Sequence, residues 1–92
     1  MAIKRVRVNV SGRVQGVFFR ASASDMARRQ GLLGWVKNNH DGSVEALFQG
    51  EEHILERAIM WCHEGPPSAM VTDVKISYET VSDNFNDFKV TY

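Results

Sequence analysis

The sequence predicts an α+β domain: a mixed, mainly antiparallel sheet with two helices on one face. Three observations carry that prediction. Ile3 to Ser11 alternates, with Val6, Val8 and Val10 on one side and Arg5, Arg7 and Asn9 on the other, the period of a half-buried strand. Two later stretches space their apolar residues three and four apart, the period of an amphipathic helix. Between them, two short strand-like runs are joined by Asn39-His40-Asp41-Gly42, which carries the Asp-Gly hairpin signal.

The elements follow in order. After the first strand, Gly12 and Gly16 bracket a short loop. A helix is expected from about Ala21 to Gln30, with Ala23, Met26, Ala27 and Gln30 on one face. Ser22, three residues before Asp25, suits a capping box, and Gly31 suits the C-terminal cap. Leu33 to Asn38 and Ser43 to Gln49 read as strands, the second ended by Gly50. Glu51 to Glu64 reads as a helix with Leu55, Ala58, Ile59 and Cys62 on its apolar face. Its acidic start suits the helix dipole, and Gly65-Pro66-Pro67 stops it. Met70 to Tyr78 is a strand with Val71, Val74 and Ile76 as core candidates. A turn at Ser82-Asp83-Asn84 leads to a short last strand in which Phe88, Val90 and Tyr92 alternate. Strand, helix, strand, strand, helix, strand is the ferredoxin-like split β-α-β order, here with one extra C-terminal strand. Two helices would cover one sheet face. Arg5, Arg7 and Asn9 would lie on the other, open face.

Size and composition bound the function. The 92 residues suffice for one domain, residues 1–92. A chain of this mass should fold to roughly 5,400 Å² of surface from roughly 15,000 Å² unfolded, enough burial for one modest core. The 43% apolar and 24% charged residues are ordinary for a soluble globular domain. No apolar run approaches the ~20 residues of a membrane span, and MAIKRVRVNV lacks the continuous apolar block of a signal peptide. Eleven basic and eleven acidic residues balance to +0, which argues against a dedicated nucleic-acid binder. Cys62 is the only cysteine, so no intrachain disulfide can form and a reducing cytoplasm is the simplest compartment.

Several catalytic devices are absent. There is no G-x-S-x-G elbow. Ser68, not arginine, stands six places after Cys62, and Gly12 to Gly16 is too short for a Walker loop and lacks its lysine. His40, His53 and His63 share no metal-ligand spacing, so no metal site is expected, and Cys62 reads as a packing residue. One segment stands apart. Gly12-Arg13-Val14-Gln15-Gly16-Val17-Phe18-Phe19-Arg20 runs from a strand end into a helix start. There backbone N–H groups converge, the helix dipole adds positive potential, and Arg20 could grip two phosphate oxygens. The same spacing also suits a plain tight turn with a solvated arginine.

That segment resembles the acylphosphatase signature G-x-V-Q-G-V-x-F-R. Gly34-Trp35-Val36-Lys37-Asn38-Asn39-His40-Asp41-Gly42-Ser43-Val44 resembles the family's second signature, G-W-V-x-N-x-x-x-G-x-V. Gly65-Pro66-Pro67-Ser68-Ala69-Met70-Val71 meets its closing pattern, so the resemblance covers essentially the whole chain. The resemblance implies a ferredoxin-like fold and hydrolysis of acyl phosphates to a carboxylate and inorganic phosphate, without metal or cofactor. It implies Arg20 and Asn38 as catalytic residues, and the backbone of Gln15, Gly16, Val17, Phe18 and Phe19 as the phosphate-binding loop. The chain departs from the family at Ser22 and Ala23, where many members carry an aromatic residue and a threonine, and at Asn39, often a threonine.

The implied chemistry is economical. A carboxylate leaves readily, so phosphoryl transfer is mostly positioning and charge stabilisation. Asn38 offers both a donor and an acceptor with which to orient a water. The expected partners are a small or protein-borne acyl phosphate, and inorganic phosphate or another anion in the loop, with no nucleic acid and no membrane. A monomer is the default. Two other functions share the fold: a non-catalytic binding or regulatory module, against which intact Arg20 and Asn38 argue, and an RNA-binding module. The latter needs paired aromatics on its central strands, and Ser43-Val44-Glu45-Ala46-Leu47-Phe48 lacks them.

Overall fold

The computed structural model describes residues 2–82 and 85–91. Among the described residues, seven elements run in order: β1 (Ile3–Arg13), α1 (Phe19–Arg29), β2 (Leu33–Asn38), β3 (Val44–Glu51), α2 (Glu52–Glu64), β4 (Met70–Glu79) and β5 (Phe88–Val90). The sheet order is β4-β1-β3-β2-β5. The first three pairings are antiparallel, and β5 joins β2 in parallel. Strands β1 and β2 are separated by β3, which makes the split β-α-β arrangement that the element order predicts. The accessible surface, 5574 Å², agrees with the size scaling. Parts of the expected turn and last strand, Asp83, Asn84 and Tyr92, lie outside the described residues.

The alternation of β1 decides the layers. Val6, Val8 and Val10 are at most 1% exposed beneath the helices. Helix α2 sets Leu55, Ala58 and Cys62 over β1, β3 and β4, with Ile59 only partly buried, and α1 sets Phe19, Ala23 and Ala27 over β2, β3 and β5. Phe48 and Phe88 stack at 5.4 Å between ring centres, and Phe19 meets Trp61 edge-on at 5.2 Å.

The helix ends differ in kind. At the C-terminus of α1, Leu32 N–H reaches back to Ala27 O at 2.8 Å and Gly31 N–H to Arg28 O at 3.2 Å. That is a Schellman ending, as Gly31 predicts. At its N-terminus the helix starts at Phe19, two residues before the expected Ala21, and the expected capping box does not form. Phe18 is the cap residue and no side chain caps it. Ser22 and Asp25 lie inside the helix, where Asp25 pairs with Arg29 at 3.0 Å, a spacing of one turn. Gln30, expected on the buried face, is exposed at the C-cap.

Two expectations about the sheet faces are corrected. Strand β4 is an edge, and its core candidates are only partly covered: Val71 and Val74 reach the core rim, while Ile76 is 47% exposed. The outer face carries Arg5, Arg7 and Asn9 but is not simply open. Arg5 is 4% exposed, with Nε and Nη2 donating to Gln49 Oε1 and its guanidinium 4.7 Å from the Phe85 ring. Arg7 sits between Glu79 and Glu45, which raise its pKa. An arginine layer braced by its cross-strand neighbours thus takes the place of a solvated face.

Register is guarded by Gly34 in β2. Its φ is +131°, and a Cβ there would come 1.7 Å from the Leu47 carbonyl oxygen of β3. Both the dihedral and the approach exclude a side chain. Gly34→Ala is therefore expected to cost about 3 kcal/mol or more, lowering Tm by over ~10 °C. A thermal melt within 2–3 °C (about 0.5 kcal/mol) of the parent would contradict this account.

Candidate active site

Strand period explains how Asn38 comes to face the helix layer. Gly34, Val36 and Asn38 share one face of β2, and their partners on β3 are Phe48, Ala46 and Val44, all core residues. Val10 of β1 continues the Asn38 row through Val44. Asn38 is thus the last position of a core-facing row, where the helix layer gives way to the start of α1.

The other half of the site comes from the β1–α1 loop. Val14 is buried and closes the core. Gly16 has φ +73°, and nothing lies within 4 Å of where its Cβ would be. Phe18 is also left-handed, φ +63° and ψ +24°, although it is not glycine. A bulky residue in that region is strained. Phe18 is also 80% exposed, so apolar burial does not explain its conformation. The turn directs the chain into α1, where the first intrahelical bond runs from Ser22 N–H to Phe18 O at 3.0 Å. The N–H groups of the first turn have no intrahelical partner. No side chain caps them, and no acidic residue occupies that turn. Such a helix end attracts an anion.

The two halves meet at a pocket of about 170 Å³. Gly16, Phe18, Phe19 and Arg20 line it from the loop and α1, Asn38 from β2, and Val14, Ala21 and Val90 complete its walls. Arg20 is half-buried in the first turn of α1, and its Nη1 donates to Thr91 O at 3.4 Å, a long contact that ties it toward the end of β5. Of the expected site residues, Arg20, Asn38, Gly16, Phe18 and Phe19 come together around this space. Gln15 and Val17 are not among its lining: Val17 is 6% exposed within the core, and the Gln15 carboxamide is bonded to the β2–β3 turn.

A polar network stands behind Asn38. Ser43, 4% exposed, accepts through Oγ from Asn9 Nδ2 at 3.1 Å and Asn39 Nδ2 at 3.0 Å, and donates to Asp41 Oδ1 at 2.6 Å. Ser43 N–H bonds the same carboxylate oxygen at 3.0 Å, closing an Asx turn. The Ser43 hydroxyl and then its amide hold Asp41 below the usual carboxylate range. Burial pushes Glu45 up, but hydrogen bonds from Arg7 and Asn39 outweigh it and hold the group below its ordinary value. Asn39, the departure from the family pattern, is thus engaged with its neighbours. Ser43 was not expected as a hub. Its signal was the Asp-x-Ser spacing across the hairpin turn.

The remaining candidates separate from the site. The Cys62 thiol is fully buried, and burial pushes its pKa up to about 12. It packs and does not ionise at neutral pH. His40, His53 and His63 are exposed at separate places, the turn and the two ends of α2. Among the described residues, no group of three His, Cys, Asp or Glu could hold a metal ion. Among the same residues, no helix is long and apolar enough to cross a membrane.

Comparison with known proteins identifies relatives of the same fold. The Acylphosphatase family profile matches residues 6–90. An acylphosphatase of Rubrobacter xylanophilus is 53% identical over 87 residues, spanning 95% of this chain and 79% of that protein. The solved acylphosphatase of Coxiella burnetii superposes with a TM-score of 0.92 at 42% identity, over 97% of this chain and 93% of that one. That of Bacillus subtilis gives 0.93 at 36% identity, over 97% and 99%.

Proposed function

The chain belongs to the acylphosphatase family, and from that premise we propose that it hydrolyses the carboxyl-phosphate bond of acyl phosphates with Arg20, Asn38 and the β1–α1 loop. One observation supports the assignment above the others: Arg20 and Asn38, eighteen positions apart and on different elements, border the same small pocket at an uncapped helix start.

The reaction cleaves the bond between phosphorus and the acyl oxygen. Water supplies the new oxygen on phosphorus, and the products are a carboxylate and inorganic phosphate. The N–H groups of the loop and of the first turn of α1 bind the phosphoryl oxygens. Arg20 adds a planar fork that suits two of those oxygens at once. These donors strengthen as charge spreads over the equatorial oxygens in the transition state. Asn38 uses its side-chain amide to orient one water in line with the leaving carboxylate. A phosphoryl oxygen takes the proton of the attacking water, because no side chain at the pocket is a general base. The pocket needs no cofactor and no metal for these steps.

The proposed protein acts as a cytoplasmic monomer on small or protein-borne acyl phosphates and holds inorganic phosphate in the same loop after turnover. A lone, buried cysteine supports the reducing compartment. Neutral overall charge speaks against a nucleic-acid partner.

Benzoyl phosphate hydrolysis by the purified protein tests the reading directly. Within that assay, Arg20→Lys is expected to remove most turnover and most phosphate inhibition, because a point charge cannot replace the fork. A near-parental kcat/KM in that variant would remove Arg20 from the site. Asn38→Ala is expected to lower kcat by about 100-fold or more with the fold intact and inhibition by phosphate retained. Loss of that inhibition would make Asn38 a binding group instead. Activity in excess EDTA is expected to equal that in buffer, and a chelator-sensitive rate would show that a metal takes part.

A further inference from the structure

The side chain of Gln15 makes contacts that anion binding does not require. Its Nε2 donates to two backbone carbonyls, Asn39 O at 2.8 Å and Ser43 O at 2.9 Å. Both protons of one amide nitrogen are thereby engaged. The two acceptors are the ends of the β2–β3 turn, which closes through Asn39 N–H to Ser43 O at 2.8 Å. Asn39 directly follows Asn38. Ser43 is held from its other side by Asn9.

The topology explains why a strut matters at this point. The phosphate loop follows β1 and Asn38 ends β2, but β3 lies between those strands. Among the described residues, no backbone ladder joins the two halves of the site directly. The Gln15 side chain spans the gap, running from the loop to the residue beside Asn38. We propose that Gln15 is a positioning residue: its carboxamide sets the distance between the phosphate loop and Asn38, and so the line of attack of the water, without contributing to phosphate affinity. The proposal rests on the roles given above to Arg20 and Asn38. Misplacing a reacting group by about 1 Å can cost up to 100-fold in rate, which gives a single side-chain strut measurable leverage.

Gln15→Met keeps the length and volume and removes both donors, and Gln15→Asn keeps the carboxamide but is too short to span. Each is expected to lower kcat for benzoyl phosphate by about 10-fold or more. The inhibition constant for inorganic phosphate should stay within about twofold of the parent, since the anion donors are untouched. In an Asn38→Ala background, Gln15→Met should lower kcat no further, because its effect passes through the missing amide. A purely structural role would give losses in both backgrounds, and that additivity would overturn the proposal. So would an unchanged kcat in either folded variant, a phosphate constant that weakens in step with kcat, or failure of both variants to fold in a thermal melt. If Asn38→Ala itself keeps parental kcat, the assignment of Asn38 falls; if Asn38→Ala is impaired and Gln15→Met is not, only the strut falls.

Discussion

The register between β2 and β3 is the constraint on which the site depends. Side chains alternate across a strand, so a slip of one residue would turn Val36 outward and remove Asn38 from the pocket. The register is fixed by steric means at Gly34, where only a hydrogen fits against the Leu47 carbonyl. It is fixed by burial at Val36, Ala46 and Phe48, which must all meet the helices. The same choice that closes the core therefore aims the last residue of the row. Packing and chemistry share one geometric decision, and neither can be altered alone.

The anion end of the site works by omission as much as by addition. Helix starts usually carry a Ser, Thr, Asp or Asn cap that accepts from the first-turn amides. Here Phe18 caps nothing, and no carboxylate stands in the first turn. The strain of a left-handed phenylalanine is held by a loop tied down on both sides, by buried Val17 and Phe19. A chain with no net charge can concentrate positive potential in one place this way, with a single guanidinium.

Much of this was legible in the residues. The bounds of β2 are written in the residues because Gly31 and the Asp41-Gly42 turn punctuate both ends. The core face of β1 followed from strict alternation, and the Asn38 face follows from the same rule. The start of α1 is not legible, because Ser22 and Asp25 imitate a capping box and a left-handed Phe18 leaves no propensity signal. The burial of Arg5 and the exposure of Ile76 depend on which strands lie at the edge and which segments cross the outer face. Such facts belong to tertiary arrangement and have no local period. The contacts of Gln15 are likewise invisible until the loop and the hairpin are brought side by side.

The sheet order has a consequence in time. Both neighbours of β1, strands β3 and β4, come later in the chain, and Arg7 finds its ion-pair partners there, in Glu45 and Glu79. A growing chain emerging from a ribosome therefore carries an unpaired first strand until residues 44–51 follow it, and one with a bare edge until residues 70–79 do. Its row of valines must wait unsatisfied, open to collapse against itself or a neighbour. Long-range closure of this kind slows folding. Native architecture becomes an all-or-none achievement, reached only when nearly the entire polypeptide is available.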